Sequence, residues 1–128
     1  MTITVPDTLA DRLPAGAIIL RPPTGRLSEH FLTEELACPC GTCERVVVHW
    51  ALVALLQRMR WRIGRPIVVT SGYRCAPHNA NVGGAPSSLH ICGMAADVQC
   101  DGLTPQMLAD VAEECGAVCQ RDLGHGLD

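Results

Sequence analysis

The sequence predicts an α+β domain, a small antiparallel sheet packed with helices. Three observations lead there. Between Val48 and Ile63, apolar residues at 52, 55, 56, 59 and 63 recur at helical spacing, and Gly64 followed by Pro66 ends the pattern. "PIVVT" at 66–70 is a β-branched run, and "MAADVQC" at 94–100 is a second short strand candidate. "TPQMLADVAEEC" then opens a second helix with Thr104 as N-cap and Pro105 at its first position, and Gly116 stands at its end. The apolar stripe of the first helix needs a partner face, so the helix is expected on a sheet containing 66–70 and 95–99. The order of loop, helix, strand, loop, strand and helix, without internal repeats, fits that architecture.

The remaining stretches fill in the frame. With 128 residues, 48% apolar and 18% charged, the chain suits one core and is short for two domains. Residues 1–26 carry four of the nine prolines and no sustained period, and read as an N-terminal arm, extended or looped, before a domain over 27–128. "HFLTEELAC" offers Thr33 as N-cap of a short helical turn through Leu36. "SGYRCAPHNANVGGAPSS" reads as a long polar, glycine-rich loop, a length that in a small domain is usually functional or disordered.

Charge and targeting narrow the function. Ten basic against thirteen acidic residues, a net charge of −3, lack the basic field that binds a phosphate backbone, so nucleic acid is not an expected partner. The N-terminus shows no signal-like segment and no stretch reaches membrane-spanning length, which predicts a product made soluble in the cytoplasm; action at a cell wall would follow lysis or carriage on a phage particle. The arginines at 58, 60, 62 and 65 read as a solvated helix face before an anionic-polymer patch. Eight cysteines are many, and a cytosolic setting argues against disulfides. "CPCGTC" looks like part of a zinc knuckle, yet tetrahedral sites usually pair two such clips and the sequence displays one. Cys115 and Cys119 would share one face if their segment were helical, where buried thiols are the common outcome.

The chemistry centres on "SLHICGMAADV". His90 ends the glycine-rich loop, Gly93 permits a sharp turn, and Asp97 lies on the strand that follows, so loop and strand can bring imidazole and carboxylate together. These are ligand types for catalytic zinc, although on geometry alone a surface histidine and a strand-end aspartate are the more frequent explanation of such a pair.

The wider stretch "TSGYRCAPHNANVGGAPSSLHICGMAADV" strongly resembles the core of the M15 zinc peptidases, the D-Ala-D-Ala carboxypeptidase and L-alanyl-D-glutamate endopeptidase family whose domain is shared with hedgehog signalling proteins. The matching pattern is S-G-x-R, then N and V-G-G, then S-x-H-x-x-G-x-A-x-D. It is met by Ser71, Gly72, Arg74, Asn79, Val82, Gly83, Gly84, Ser88, His90, Gly93, Ala95 and Asp97, and the resemblance extends more weakly over about residues 27–120. It implies a hedgehog/DD-peptidase-like fold, zinc as cofactor, and a peptidoglycan stem peptide as substrate. His90 and Asp97 are implied as two of three zinc ligands, Arg74 as the guanidinium facing the scissile carbonyl, and Ser88 as a hydroxyl near the ligand that helps hold substrate. Tyr73 and Asn79 are expected to shape the loop, and Gly83 and Gly84 to serve a backbone needing positive φ or close approach.

One part of the family pattern is not met. Relatives carry a third ligand in a downstream H-x-D or H-x-H segment with a catalytic glutamate or histidine before it, and this chain reads "CQRDLGHGLD" up to Asp128. His125 is the best candidate for the third ligand, with Asp122, Asp128 and His125 as late candidates for the base. Three readings follow: a substitute ligand, a C-terminally incomplete relative, or a non-catalytic module that binds cell wall or serves a phage particle. The sequence leaves the oligomeric state open.

Overall fold

The computed structural model describes residues 1–6, 17–20, 25–40 and 42–120. Its main sheet holds β1 (Thr2–Thr4), β6 (Val68–Ser71), β7 (Ala95–Gln99) and β8 (Val118–Gln120) in the order β6-β7-β1-β8. The three pairings are antiparallel. Two-stranded ribbons pair β2 (Ala17–Leu20) with β5 (Arg45–Val48), and β3 (Arg26–Ser28) with β4 (Phe31–Leu32). The helices are α1 (Trp50–Ile63), α2 (Ala76–Asn81) and α3 (Pro105–Glu114), with 3-10 turns at Thr33–Leu36 and Leu89–Cys92. The fold is α+β with a small antiparallel sheet, and β6 and β7 fall on the two segments expected to pair.

Alternation in the sheet separates a core face from an open face. Ile3 lies opposite Ala96, and Val69 opposite Val98; Ile3, Ala96 and Val98 are buried in one cluster with Leu52, Leu56, Met59 and Leu108. Thr2 and Thr4 point the other way and lie opposite Asp97 and Ala95. The stretch 1–26, expected as an extended arm or loop, therefore supplies a strand to the middle of the sheet. Its entropy of ordering is offset by Ile3 and Val5, both almost wholly buried.

Helix α1 follows its predicted stripe, with Leu52, Leu55, Leu56 and Met59 buried and Gly64 as the left-handed C-cap at φ 74°. Gln57 is also buried. Its Oε1 accepts from Ser28 Oγ (2.7 Å) and from the His30 N–H (2.9 Å), and its Nε2 pairs with His30 Nδ1 (2.7 Å), so the side chain ties the entry segment to the helix. The arginines of α1 turn outward to α3 and its flanks: Arg58 donates to the Cys115 carbonyl (2.8 Å), Arg62 pairs with Glu114 (2.5 Å), and Arg65, just past the helix, donates to the Asp101 carbonyl (3.2 Å). That is the solvated face expected of them.

Three local expectations are corrected. Thr33 is the first residue of its 3-10 turn, not the cap; Leu32 precedes it, with its N–H satisfied by Glu35 Oε2 at 2.7 Å. The glycine-rich loop contains α2, which starts after Cys75 with Pro77 in its first turn and buries Asn79. Cys115 and Cys119 do not share a helix face, because Gly116 at φ 105° ends α3 and Cys119 lies on β8; both are half-buried. Thr104 caps α3 as predicted, accepting from the Met107 N–H at 3.1 Å.

Candidate active site

The open face of the sheet and the loop from 71 to 93 border a half-open cavity of about 390 Å³, whose lining includes Thr2, Thr4, Arg74, Ser88, His90 and Ala95. His90 sits in the 3-10 turn Leu89–Cys92. Ser88 caps that turn, its Oγ accepting from the His90 N–H at 3.2 Å, and Gly93 closes it at φ 73°. Gly93 is required here twice over, because a Cβ would also meet the backbone of Val47 and Val48, its nearest atom being the Val47 carbonyl oxygen at 2.3 Å. The Gly93 carbonyl in turn accepts from the His49 N–H (3.1 Å), docking the turn on the junction of β5 and α1.

His90 is buried and its orientation is set from behind. Nδ1 lies 2.8 Å from the Gly72 carbonyl, which can only accept, so Nδ1 carries a proton and Nε2 is the nitrogen turned to the cavity side. Nε2 lies 3.5 Å from Asp97 Oδ1. A backbone carbonyl holding one ring nitrogen while the other is presented is the usual outer support of a metal-binding histidine. The separation also suits two ligands of one tetrahedral zinc, whose bonds of about 2.0–2.2 Å give edges of about 3.3–3.6 Å.

Asp97 is the hub. Thr2 Oγ1 donates to Oδ1, and Arg74 Nη2 reaches Oδ2 at 3.2 Å. Burial pushes the carboxyl up, but the hydrogen bonds from His90 and Thr2 and the charges of His90 and Arg74 outweigh it, leaving Asp97 below its ordinary value. Arg74 itself is held at Nε by Ser71 Oγ (3.1 Å) and at Nη1 by Asn79 Oδ1 (3.3 Å), while Asn79 Nδ2 donates to the Ala85 carbonyl (2.8 Å). Gly84 makes room for this, since a Cβ there would collide with Asn79 Oδ1 at 2.1 Å, and Gly83 takes the positive φ of 78°.

The structure thus brings Arg74, His90 and Asp97 together and sets Ser88 beside them. It adds two residues that the sequence reading did not place in the site. Ser71 lies opposite Asp97 because the β6–β7 register shifts between Val69 and Ser71. Thr2 belongs to the segment read as an arm; the alternation of "MTITV" was the available signal. Asp122, His125 and Asp128, the late candidates for ligand and base, lie outside the described residues.

The peptidase M15 family model matches residues 29–126. The chain belongs to the peptidase M15 family. A zinc D-Ala-D-Ala carboxypeptidase of Streptomyces albus G is 49% identical over 51 residues, 38% of this chain and 20% of the relative. The match therefore spans about a fifth of the length of that curated relative. No solved structure matches the chain. Among the described residues, no helix of this M15 chain is long and apolar enough to cross a membrane.

Proposed function

We propose that this chain is a zinc-dependent peptidase domain acting on peptidoglycan stem peptides, as a D-Ala-D-Ala carboxypeptidase or an endolysin-type endopeptidase. The observation that carries the reading is the convergence on Asp97 of His90 Nε2 and the Arg74 guanidinium, two groups that line the cavity. Nε2 and Oδ1 face each other at 3.5 Å, a separation that one cation can share, a proton in the metal-free chain or the zinc where it is bound. His90 and Asp97 would hold the zinc, which when bound polarises a carbonyl and makes water acidic enough to supply hydroxide near neutral pH.

The chain's own residues account for the rest of the binding chemistry. Arg74 is held at two nitrogens and its third reaches the carboxylate, so a small rotation of the guanidinium would place a fixed positive charge against a developing oxyanion. The same charge suits the free carboxylates of stem peptides. The Ser88 hydroxyl, already accepting from the His90 N–H, has its own proton left to donate to a substrate carbonyl at the cavity wall. Gly72, through its carbonyl, keeps Nδ1 of His90 protonated and so keeps Nε2 available.

A second reading, an impaired M15-like module that binds wall or serves a phage particle, is favoured by one observation: among the described residues, only two candidate ligands, His90 and Asp97, converge at this cavity. The two readings separate on hydrolysis. The purified chain, loaded with zinc, should cleave a D-Ala-terminated or an L-Ala-D-Glu peptide, and His90→Ala and Asp97→Ala should abolish cleavage. Loss of cleavage together with weakened zinc binding at His90 and Asp97 in a folded His125→Ala variant would assign the third ligand, and loss of cleavage with zinc binding intact would assign the base. No cleavage of either peptide by folded, zinc-loaded chain would favour the module.

A further inference from the structure

Four cysteines gather away from the His90 and Asp97 pair. Cys38, Cys40 and Cys43 come from "CPCGTC", and Cys75 joins them from 35 residues beyond Cys40. Their sulfurs all lie within 4.8 Å of one another. Cys75 Sγ stands 3.7 Å from the sulfurs of both Cys38 and Cys40. A disulfide would bring two sulfurs to about 2.0 Å. Sulfurs bound tetrahedrally to one zinc at about 2.3 Å would instead stand about 3.8 Å apart. The two separations match the second arrangement.

The surroundings also fit four thiolates. Cys40 Sγ receives the backbone N–H of Thr42 (3.4 Å) and of Cys43 (3.3 Å), and the Thr42 hydroxyl (3.6 Å). Such donors stabilise negative sulfur and orient it toward a metal. The burial is graded, with Cys38 buried and the other three half-buried, so a metal could enter from solvent.

We propose that Cys38, Cys40, Cys43 and Cys75 bind one zinc ion in a closed structural site, distinct from the residues of the catalytic cavity. Its place in the chain gives it a task. Cys75 directly follows Arg74, and its carbonyl accepts from the Asn79 N–H (2.9 Å) at the start of α2. Fixing Cys75 to the entry segment fixes the turn on which both Arg74 and its partner Asn79 are mounted. Binding releases the thiol protons to solvent and involves no redox change.

Cobalt(II), added in place of zinc to the full chain kept reduced, tests this. Thiolate-to-cobalt charge-transfer absorption and the strong visible bands of tetrahedral cobalt should appear at one equivalent in the His90→Ala/Asp97→Ala double variant, and zinc should displace them. The charge-transfer absorption should weaken in Cys75→Ser and in Cys40→Ser, where three thiolates remain. In the unsubstituted chain, zinc should protect four of the eight cysteines from alkylation, and mass spectrometry should identify them as Cys38, Cys40, Cys43 and Cys75. Absence of charge-transfer bands at saturating cobalt, bands of unchanged intensity in Cys75→Ser, or equal alkylation of all eight cysteines with zinc present would each overturn the site. The double variant separates this outcome from any failure of the catalytic assignment, and the alkylation pattern stands even if a cysteine variant does not fold.

Discussion

Gly93→Ala is expected to destabilise the chain and to disturb His90, and Gly64→Ala supplies its internal control. Both glycines have nearly the same backbone, φ 73° and 74°, so both substitutions carry the left-handed cost of about 1–2 kcal/mol for a residue with a Cβ. Around Gly64 nothing lies within 4 Å, whereas at Gly93 the new carbon would sit 2.3 Å from the Val47 carbonyl oxygen and 2.9 Å from Val48 Cα. Those atoms are backbone of β5, anchored by buried Val46 and Val48, and cannot rotate aside. Relief requires the turn to move by about 1 Å, and overpacking of this kind costs a further ~1–3 kcal/mol. Gly64→Ala should therefore lose about 1–2 kcal/mol and Gly93→Ala about 2–5 kcal/mol. At roughly 3–5 °C per kcal/mol for a domain of this size, the two melting temperatures should be clearly resolved. Thermal and urea unfolding in the presence of a chelator measures the difference without a contribution from metal. Zinc titration of the Gly93 variant should show weakened binding at His90, because the displaced turn carries that residue. Equal destabilisation by the two substitutions would refute the close approach of the turn to β5 and the positioning argument built on it.

Further outcomes follow from the same contacts. Ile3→Ala, at a wholly buried position in the central strand, should lower stability by about 2–5 kcal/mol in urea unfolding; a loss under 1 kcal/mol would mean that the first residues do not pair in the sheet. The carboxyl of Asp97 is held below its ordinary value, so its stabilising contribution in metal-free protein is present above the unfolded value of about 3.9 and is lost as pH falls through the lower folded value. Asp97→Asn should flatten that acid limb, and an unchanged pH dependence of unfolding would contradict it. Asn79→Ala removes the side chain holding Arg74 Nη1 and should slow peptide hydrolysis by about 10- to 100-fold through kcat more than KM; unchanged kcat would show that Arg74 needs no such support. Thr104→Ala should cost about 1 kcal/mol at the start of α3 and leave hydrolysis intact, and slowed hydrolysis would place α3 closer to the chemistry than its position suggests.

What the sequence determined by itself was local in its physics. The period of α1, the Gly64 and Gly116 stops, the Thr104 cap and the β-branched run before Ser71 depend on neighbouring residues, so they could be read in order along the chain. The stretch from Arg74 to Asp97 could be read through its resemblance to the M15 peptidases for a similar reason: its loop, 3-10 turn and strand are consecutive, and the pair closes within one supersecondary unit. The tertiary structure alone decided which distant segments meet. Three residues at the N-terminus make too short a run to declare a strand, yet they complete the sheet because β7 and β8 leave a place between them that buries Ile3 and brings Thr2 to Asp97. The register shift that sets Ser71 opposite Asp97 comes from pairing, and pairing has no local signature. Cys75 reaches "CPCGTC" by the same route, because Tyr73, next to Arg74, bonds through its N–H to the Leu36 carbonyl (2.8 Å) just before the first cysteine. A hydrogen bond between segments so far apart in the chain is selected by the packing of the whole core, which no window of sequence contains.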